Sequence, residues 1–102
     1  MIINNMKSNK ERTVPNQYVI RLNNCSVFQS YATVIAIHDY DLDEVYLNKE
    51  YYNYSKTTSR YRNKYLGLNT KQIEQKIKSK EFVLVNHKDM EDKFKEVIKC
   101  QA

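Results

Sequence analysis

The stretch "CSVFQSYATVIAIHD", residues 25–39, commits this chain to a β-sheet. Gln29, Tyr31, Thr33, Ile35 and Ile37 alternate with Phe28, Ala32, Val34 and Ala36. A run so rich in β-branched and aromatic residues suits a pleated surface better than a helix. It reads as one long strand, or as two with a bend near Gln29-Ser30. Two strands alone are marginal in water, so partners are needed, and the flanks supply them. In "QYVIRL", Tyr18, Ile20 and Leu22 alternate with Val19 and Arg21. Asn23-Asn24 follows as a two-residue turn, because Asn tolerates positive φ. "EVYLN" (44–48) is a further short strand, and "EFVLVN" (81–86) is an apolar one suited to burial on both faces if central.

Helix signals interrupt this pattern after residue 54. Ser55 is a natural N-cap and Gly67, the only glycine, a natural stop, with Tyr61, Tyr65 and Thr58 on one face. A second helix is expected from about Thr70 to Ser79, capped by Asn69 or Thr70, with Ile73 and Ile77 one turn apart. A third runs from about Lys88 to Cys100, where Met90, Phe94, Val97 and Ile98 recur at helical spacing and Glu91 can pair with Lys95. The order ββ(β)β-αα-β-α predicts an α+β domain: a mainly antiparallel sheet of about four or five strands with about three helices packed against it. Residues 1–16 are polar and unpatterned and read as a flexible N-terminal tail ending at Val14-Pro15. Residues 17–102 form the single domain, since a chain of 102 residues has room for one core.

The net charge of +5 is unevenly placed. Between Lys56 and Lys80 the only acid is Glu74, whereas Asp39, Asp41, Asp43, Glu44 and Glu50 cluster against Lys49. A long basic stretch attracts polyanions or an acidic protein surface. Arg60 and Lys64 are like charges four residues apart on one helix, a small penalty that an anion between them would remove. The candidate binding residues are therefore Lys56, Arg60, Arg62 and Lys64, with Lys71, Lys76 and Lys78 as a second patch. Solvation of an ordinary helical face is the competing reading.

Other constellations carry less. Counting from Asp39, oxygen ligands fall at positions 3 (Asp41), 5 (Asp43) and 12 (Glu50) of an EF-hand loop. Glu44, however, stands where the sharp turn needs glycine, and the flanks read as strands. An exposed hairpin connection is the preferred reading. His38 and Asp39 are adjacent on a strand and point to opposite faces. "SKTTS" lacks the glycines of a phosphate-binding loop, leaving a hydroxyl-rich helix start that self-capping explains. Cys25 and Cys100 have no metal-binding or redox spacing and read as reduced thiols. No constellation supports catalysis, so a non-enzymatic protein without metal or cofactor is expected. Neither a signal peptide nor a membrane span is visible, which predicts a soluble cytoplasmic protein.

Two blocks, "VFQSYATVIAI" (27–37) and "VYLNKEYYNYSKTTSRYRNKYLG" (45–67), resemble a family of small uncharacterised proteins of phages, plasmids and related mobile elements. Phe28, Gln29, Ser30 and Tyr31 match its first block. Tyr54, Ser55, Lys56, Thr57, Thr58, Tyr61 and Leu66 match its second, and apart from Lys56 these motif residues read as mainly structural. The chain departs by carrying Tyr52-Asn53 where the pattern has Trp-Asp. Abundant Asn, Lys, Ile and Tyr, whose codons are rich in A and T, fit a low-GC bacterial host. The resemblance implies a mobile-element setting and, through it, an inhibitor of a host defence nuclease. An anti-CRISPR protein acting on a type II effector or its guide-RNA complex is the leading expectation. The rival is a nucleic-acid-binding accessory or regulatory protein of the element.

Overall fold

The computed structural model describes residues 1–99. The elements are β1 (Ile2–Lys7), β2 (Thr13–Arg21), β3 (Cys25–Ser30), β4 (Thr33–Asp39), β5 (Glu44–Asn48), α1 (Lys56–Leu66), α2 (Thr70–Lys78), β6 (Phe82–Val85) and α3 (His87–Lys99). The six strands form one sheet in chain order. All neighbours are antiparallel except β5 and β6, which are parallel. That parallel pair requires a crossover, and α1 with α2 supplies it.

The α+β class and the three helices are as expected; the strand count is higher. The expected tail, residues 1–16, contains β1 and the start of β2. Ile2, Ile3, Asn4 and Asn5 pair with Arg21, Ile20, Val19 and Tyr18. The segment reads as polar because β1 is an edge strand, of which only Met6 is buried. Edge strands need no alternating apolar pattern, since backbone pairing on one side holds them.

The run 25–39 is two strands. Tyr31 (φ 55°) and Ala32 make the turn between Ser30 and Thr33, two residues beyond the expected bend. Alternation fails inside β4 for a specific reason. Phe28 pairs with Ala36 and Gln29 with Val34, so Ile35 is an extra, bulged residue. Ile35 and Ala36 consequently pack into the same core. Asn23-Asn24 does form the β2–β3 turn, yet neither residue has a positive φ.

Each face of the sheet carries its own core. On one side Tyr61 of α1 and Ile73 of α2 cover Phe28, Ile35, Ala36, Val45 and Leu47. On the other, Met90 of α3 covers Ile20, Cys25, Val27, Val34 and Ile37, with Phe94 and Val97 packed alongside. The helices thus lie on both faces. β6, which would be buried on both faces only if central, is an edge strand whose Val83 is exposed. In α3, Glu91 pairs with His87 and Lys88 with Asp92 (3.4 Å), in place of the expected Glu91–Lys95 pair. Ile98 lies at the exposed margin, and Cys100 lies outside the described residues. Asn86 caps α3, its Oδ1 accepting from Asp89 N at 2.9 Å. Burial, with Asp39 and Asp41 nearby, pushes the Cys25 thiol up and keeps it protonated.

Candidate binding site

The helix pair α1–α2 carries every candidate cation, and its geometry divides them. Ser55 caps α1 by accepting from Thr58 N, and Gly67 ends it at φ 69° with its N–H donating to Asn63 O. Asn69 and Gln72 form a reciprocal capping box at the start of α2. These caps fix the helix phase, so Tyr61 and Tyr65 point inward. Tyr61 is 7% exposed. Tyr65 stacks on Phe28 (centroids 5.7 Å apart) and shares a 2.7 Å hydrogen bond with Ser26 Oγ. They are core residues, not stacking platforms.

Arg62 requires a correction. Expected as a surface cation, it is fully buried. Its Nη1 donates to Tyr52 O (2.7 Å) and to Asn53 Oδ1 (3.3 Å). Nε and Nη2 fork onto Asn63 Oδ1 (3.1 and 2.8 Å), and Nη2 also reaches Thr70 Oγ1 (3.4 Å). The guanidinium lies 5.7 Å from the centre of the Tyr52 ring. Burial lowers its pKa, while the neighbouring Tyr52 and Glu74 oppose that shift. Arg62 clamps the 52–53 loop and the start of α2 onto α1.

Two further cations are engaged internally. Lys64 donates to the backbone carbonyl of Lys7 on β1. Lys76 pairs with Glu81 at 2.9 Å, and Lys76 and Ser79 together hold the Glu81 carboxyl below its usual range. The remaining four, Lys56, Arg60, Lys71 and Lys78, are exposed. Among the described residues none of the four has an ion-pair or side-chain hydrogen-bond partner. The α3 layer differs: its Lys88, Lys93, Lys95 and Lys99 are matched by Asp89, Glu91, Asp92 and Glu96. The α1–α2 pair is therefore net basic, whereas α3 is balanced.

The two motif blocks meet in space. Ser30 Oγ and Thr58 Oγ1 share a 3.0 Å hydrogen bond, and the Ser55 hydroxyl donates to the same Thr58 oxygen at 3.1 Å. Gln29 Nε2 donates to Tyr31 O (2.8 Å), buttressing the β3–β4 turn. Phe28, Ser30, Thr58 and Tyr61 are buried, and Gln29 and Ser55 are held by these hydrogen bonds. Tyr31, Tyr54 and Thr57 are exposed. Beside them lies a cleft of about 420 Å³ lined by residues 30–33, Ile35, Tyr51, Tyr54 and Thr58. Neither its size nor its position was legible in the sequence, because residues 30–35 and 51–58 come together only through the tertiary fold.

The acidic hairpin 39–43 takes the role preferred for it. Asp39 Oδ1 accepts from Asp41 N (3.0 Å) and Leu42 N (3.1 Å), Asp41 accepts from Asn24, and Asp43 lies 3.3 Å from His38 Nε2. Glu50 instead accepts from His87 N (3.3 Å), away from that hairpin. Among the described residues, no group of three or more His, Cys, Asp or Glu side chains is placed to hold a metal ion.

Two tyrosine hydroxyls engaged within the fold give the domain an alkaline limit. Tyr46 donates to Glu44 and its pKa is pushed up to about 12, while burial drives Tyr65 up further. A raised folded-state pKa stabilises the fold fully below the ordinary value of 10.0, and that contribution is lost as pH rises through the folded value. The urea midpoint should therefore hold steady through neutral pH and fall between about 10 and 12. A midpoint unchanged over that window would show that these tyrosines ionise as freely folded as unfolded.

A model of the family of unknown function DUF8033 matches residues 1–83, from β1 into β6. No curated protein and no solved structure matches the chain. No helix among the described residues is long and apolar enough to cross a membrane.

Proposed function

The chain belongs to DUF8033, a family of unknown function, and we propose that it is a non-enzymatic binding protein that docks on an acidic partner through α1 and α2. The observation that carries this reading is the set Lys56, Arg60, Lys71 and Lys78, exposed on one layer without internal counter-charges. Arg60 and Lys71 are the residues to test first, because Arg62, Lys64 and Lys76 are engaged within the fold. The narrower form of the proposal is inhibition of a host defence nuclease in the bacterial cytoplasm, with a type II CRISPR effector or its guide-RNA complex as target. It rests on the resemblance to mobile-element proteins and on charge, since a chain at +5 suits an acidic or RNA-bearing surface and not a DNA-binding groove.

Reversal of both cations, Arg60→Glu with Lys71→Glu, should weaken partner binding by about tenfold or more and leave thermal stability within a few degrees. Pull-down from a bacterial host, followed by cleavage assays with the assembled effector, reads the effect. Binding of naked duplex DNA alone, with a steep loss on raising salt, would instead make the chain an accessory protein of the element. Full inhibition by the doubly reversed variant would remove these cations from the site.

A further inference from the structure

We infer that the cleft between the β3–β4 turn and the start of α1 takes an unpaired nucleobase, so that the protein binds a single-stranded segment of nucleic acid. This deepens the reading above, on which it rests, by naming what part of an acidic partner is gripped. The first observation is a backbone held against its preference. Tyr31 sits at φ 55°, a region that bulky residues rarely adopt and that glycine or asparagine would occupy at lower cost. Both of its backbone polar groups are tied down: its N–H donates to Asn16 O (2.6 Å) and its carbonyl accepts from Gln29 Nε2. Tyr31 so placed is 59% exposed and contributes to neither core. Strain maintained by surrounding structure, with no packing return, points to a role for the ring itself.

The second observation is the opposite wall. Tyr54 is 72% exposed, and its ring lies against that of Tyr51, at 5.6 Å between ring centres. Tyr51 in turn meets the His87 ring edge-on at 5.0 Å. Buried Asn48 fixes this segment, its Oδ1 accepting from Glu50 N and Tyr51 N while its Nδ2 donates to Val34 O. The aromatic wall is therefore pre-organised. The cleft it borders, about 420 Å³, lies in the range of roughly 300–1,000 Å³ typical of ligand pockets.

The third observation is charge. The cleft lining contains three tyrosines and three aliphatic hydroxyls but no carboxylate. Lys56 follows Tyr54-Ser55 directly, and Arg60 stands one turn further along α1, both exposed and without internal partners. Aromatic faces beside unpaired cations are what single strands require, because each base stacks while its phosphates meet the cations. A duplex keeps its bases paired and stacked, and cannot present one to the cleft.

Fluorescence anisotropy with short labelled single strands of RNA and of DNA, and with a duplex of the same length, tests the inference on the full chain. Single strands should bind at least about tenfold more tightly than duplex, and Tyr31→Ala or Tyr54→Ala should each weaken them by about tenfold. Tyr31→Phe and Tyr54→Phe should retain binding, because the stacking face survives. The better of the RNA and DNA strands identifies the source of the base. Equal binding of duplex, no binding of either single strand, or alanine variants that bind as wild type would each overturn the inference. If the tyrosine variants still inhibit an assembled effector while the Arg60 and Lys71 reversal does not, the cleft inference falls and the docking proposal stands.

Discussion

Replacing Arg62 with alanine should cost about 3 kcal/mol of folding free energy, the largest effect expected of any single cation in the chain. The reason is the acceptors that lose their donor. Tyr52 O and Asn63 Oδ1 lose their charged partner inside a loop–helix junction that solvent does not reach at Arg62. Each stranded acceptor costs about 1–3 kcal/mol, and the vacated volume adds to that. For a domain of this size the loss corresponds to a fall in Tm on the order of 15 °C. Arg62→Lys should recover only part of it, because an ammonium cannot reproduce the fork onto Asn63 or lie flat over Tyr52. Urea denaturation reads the result, with a lower midpoint at an unchanged slope. A variant as stable as wild type would mean that the guanidinium is not the clamp between α1, α2 and the 52–53 loop. The contrast with Arg60 is then diagnostic: cations two positions apart, one expected to affect stability alone and the other binding alone.

Helix phase and caps were legible because they depend on neighbours in sequence. Ser55, Gly67 and Asn69 act locally, and each does what its residue type predicts. Arg62 was not legible as a buried residue, since its acceptors come from positions 52, 53, 63 and 70, and no sequence rule joins them. A run of Asn and Thr without acids around an arginine was the only trace. β1 escaped for a different reason: an edge strand is held by pairing with β2, not by an apolar stripe of its own. At β4 the period of two is broken by the bulge at Ile35, which no composition signal marks. The candidate cleft was hardest of all. Its aromatic residues were visible, but the two that helical spacing singles out, Tyr61 and Tyr65, are core, whereas Tyr31 and Tyr54 look outward because of a turn and a loop set by distant contacts.

Ending the chain after Asn86 should abolish cooperative folding. Among the described residues, α3 is the helix that covers the face of the sheet bearing Ile20, Cys25, Val27, Val34 and Ile37, through Met90, Phe94 and Val97. Met90 is fully buried, and truncating it to alanine by itself should cost about 2–5 kcal/mol. Losing Phe94 and Val97 as well removes comparable apolar burial, against a total stability of about 5–15 kcal/mol for a domain. The capping of α3 by Asn86 and the pairing of His87 with Glu91 would go too, as would the His87 ring that backs Tyr51 in the cleft wall. The truncated chain should therefore bind a hydrophobic dye, lose near-ultraviolet circular dichroism and unfold without a sharp transition, while keeping part of its far-ultraviolet signal. A soluble, cooperatively unfolding product would show that the α1–α2 core suffices alone. The family match ends at residue 83, before α3 begins, so this helix is the part of the fold that the match does not cover and on which the second core depends.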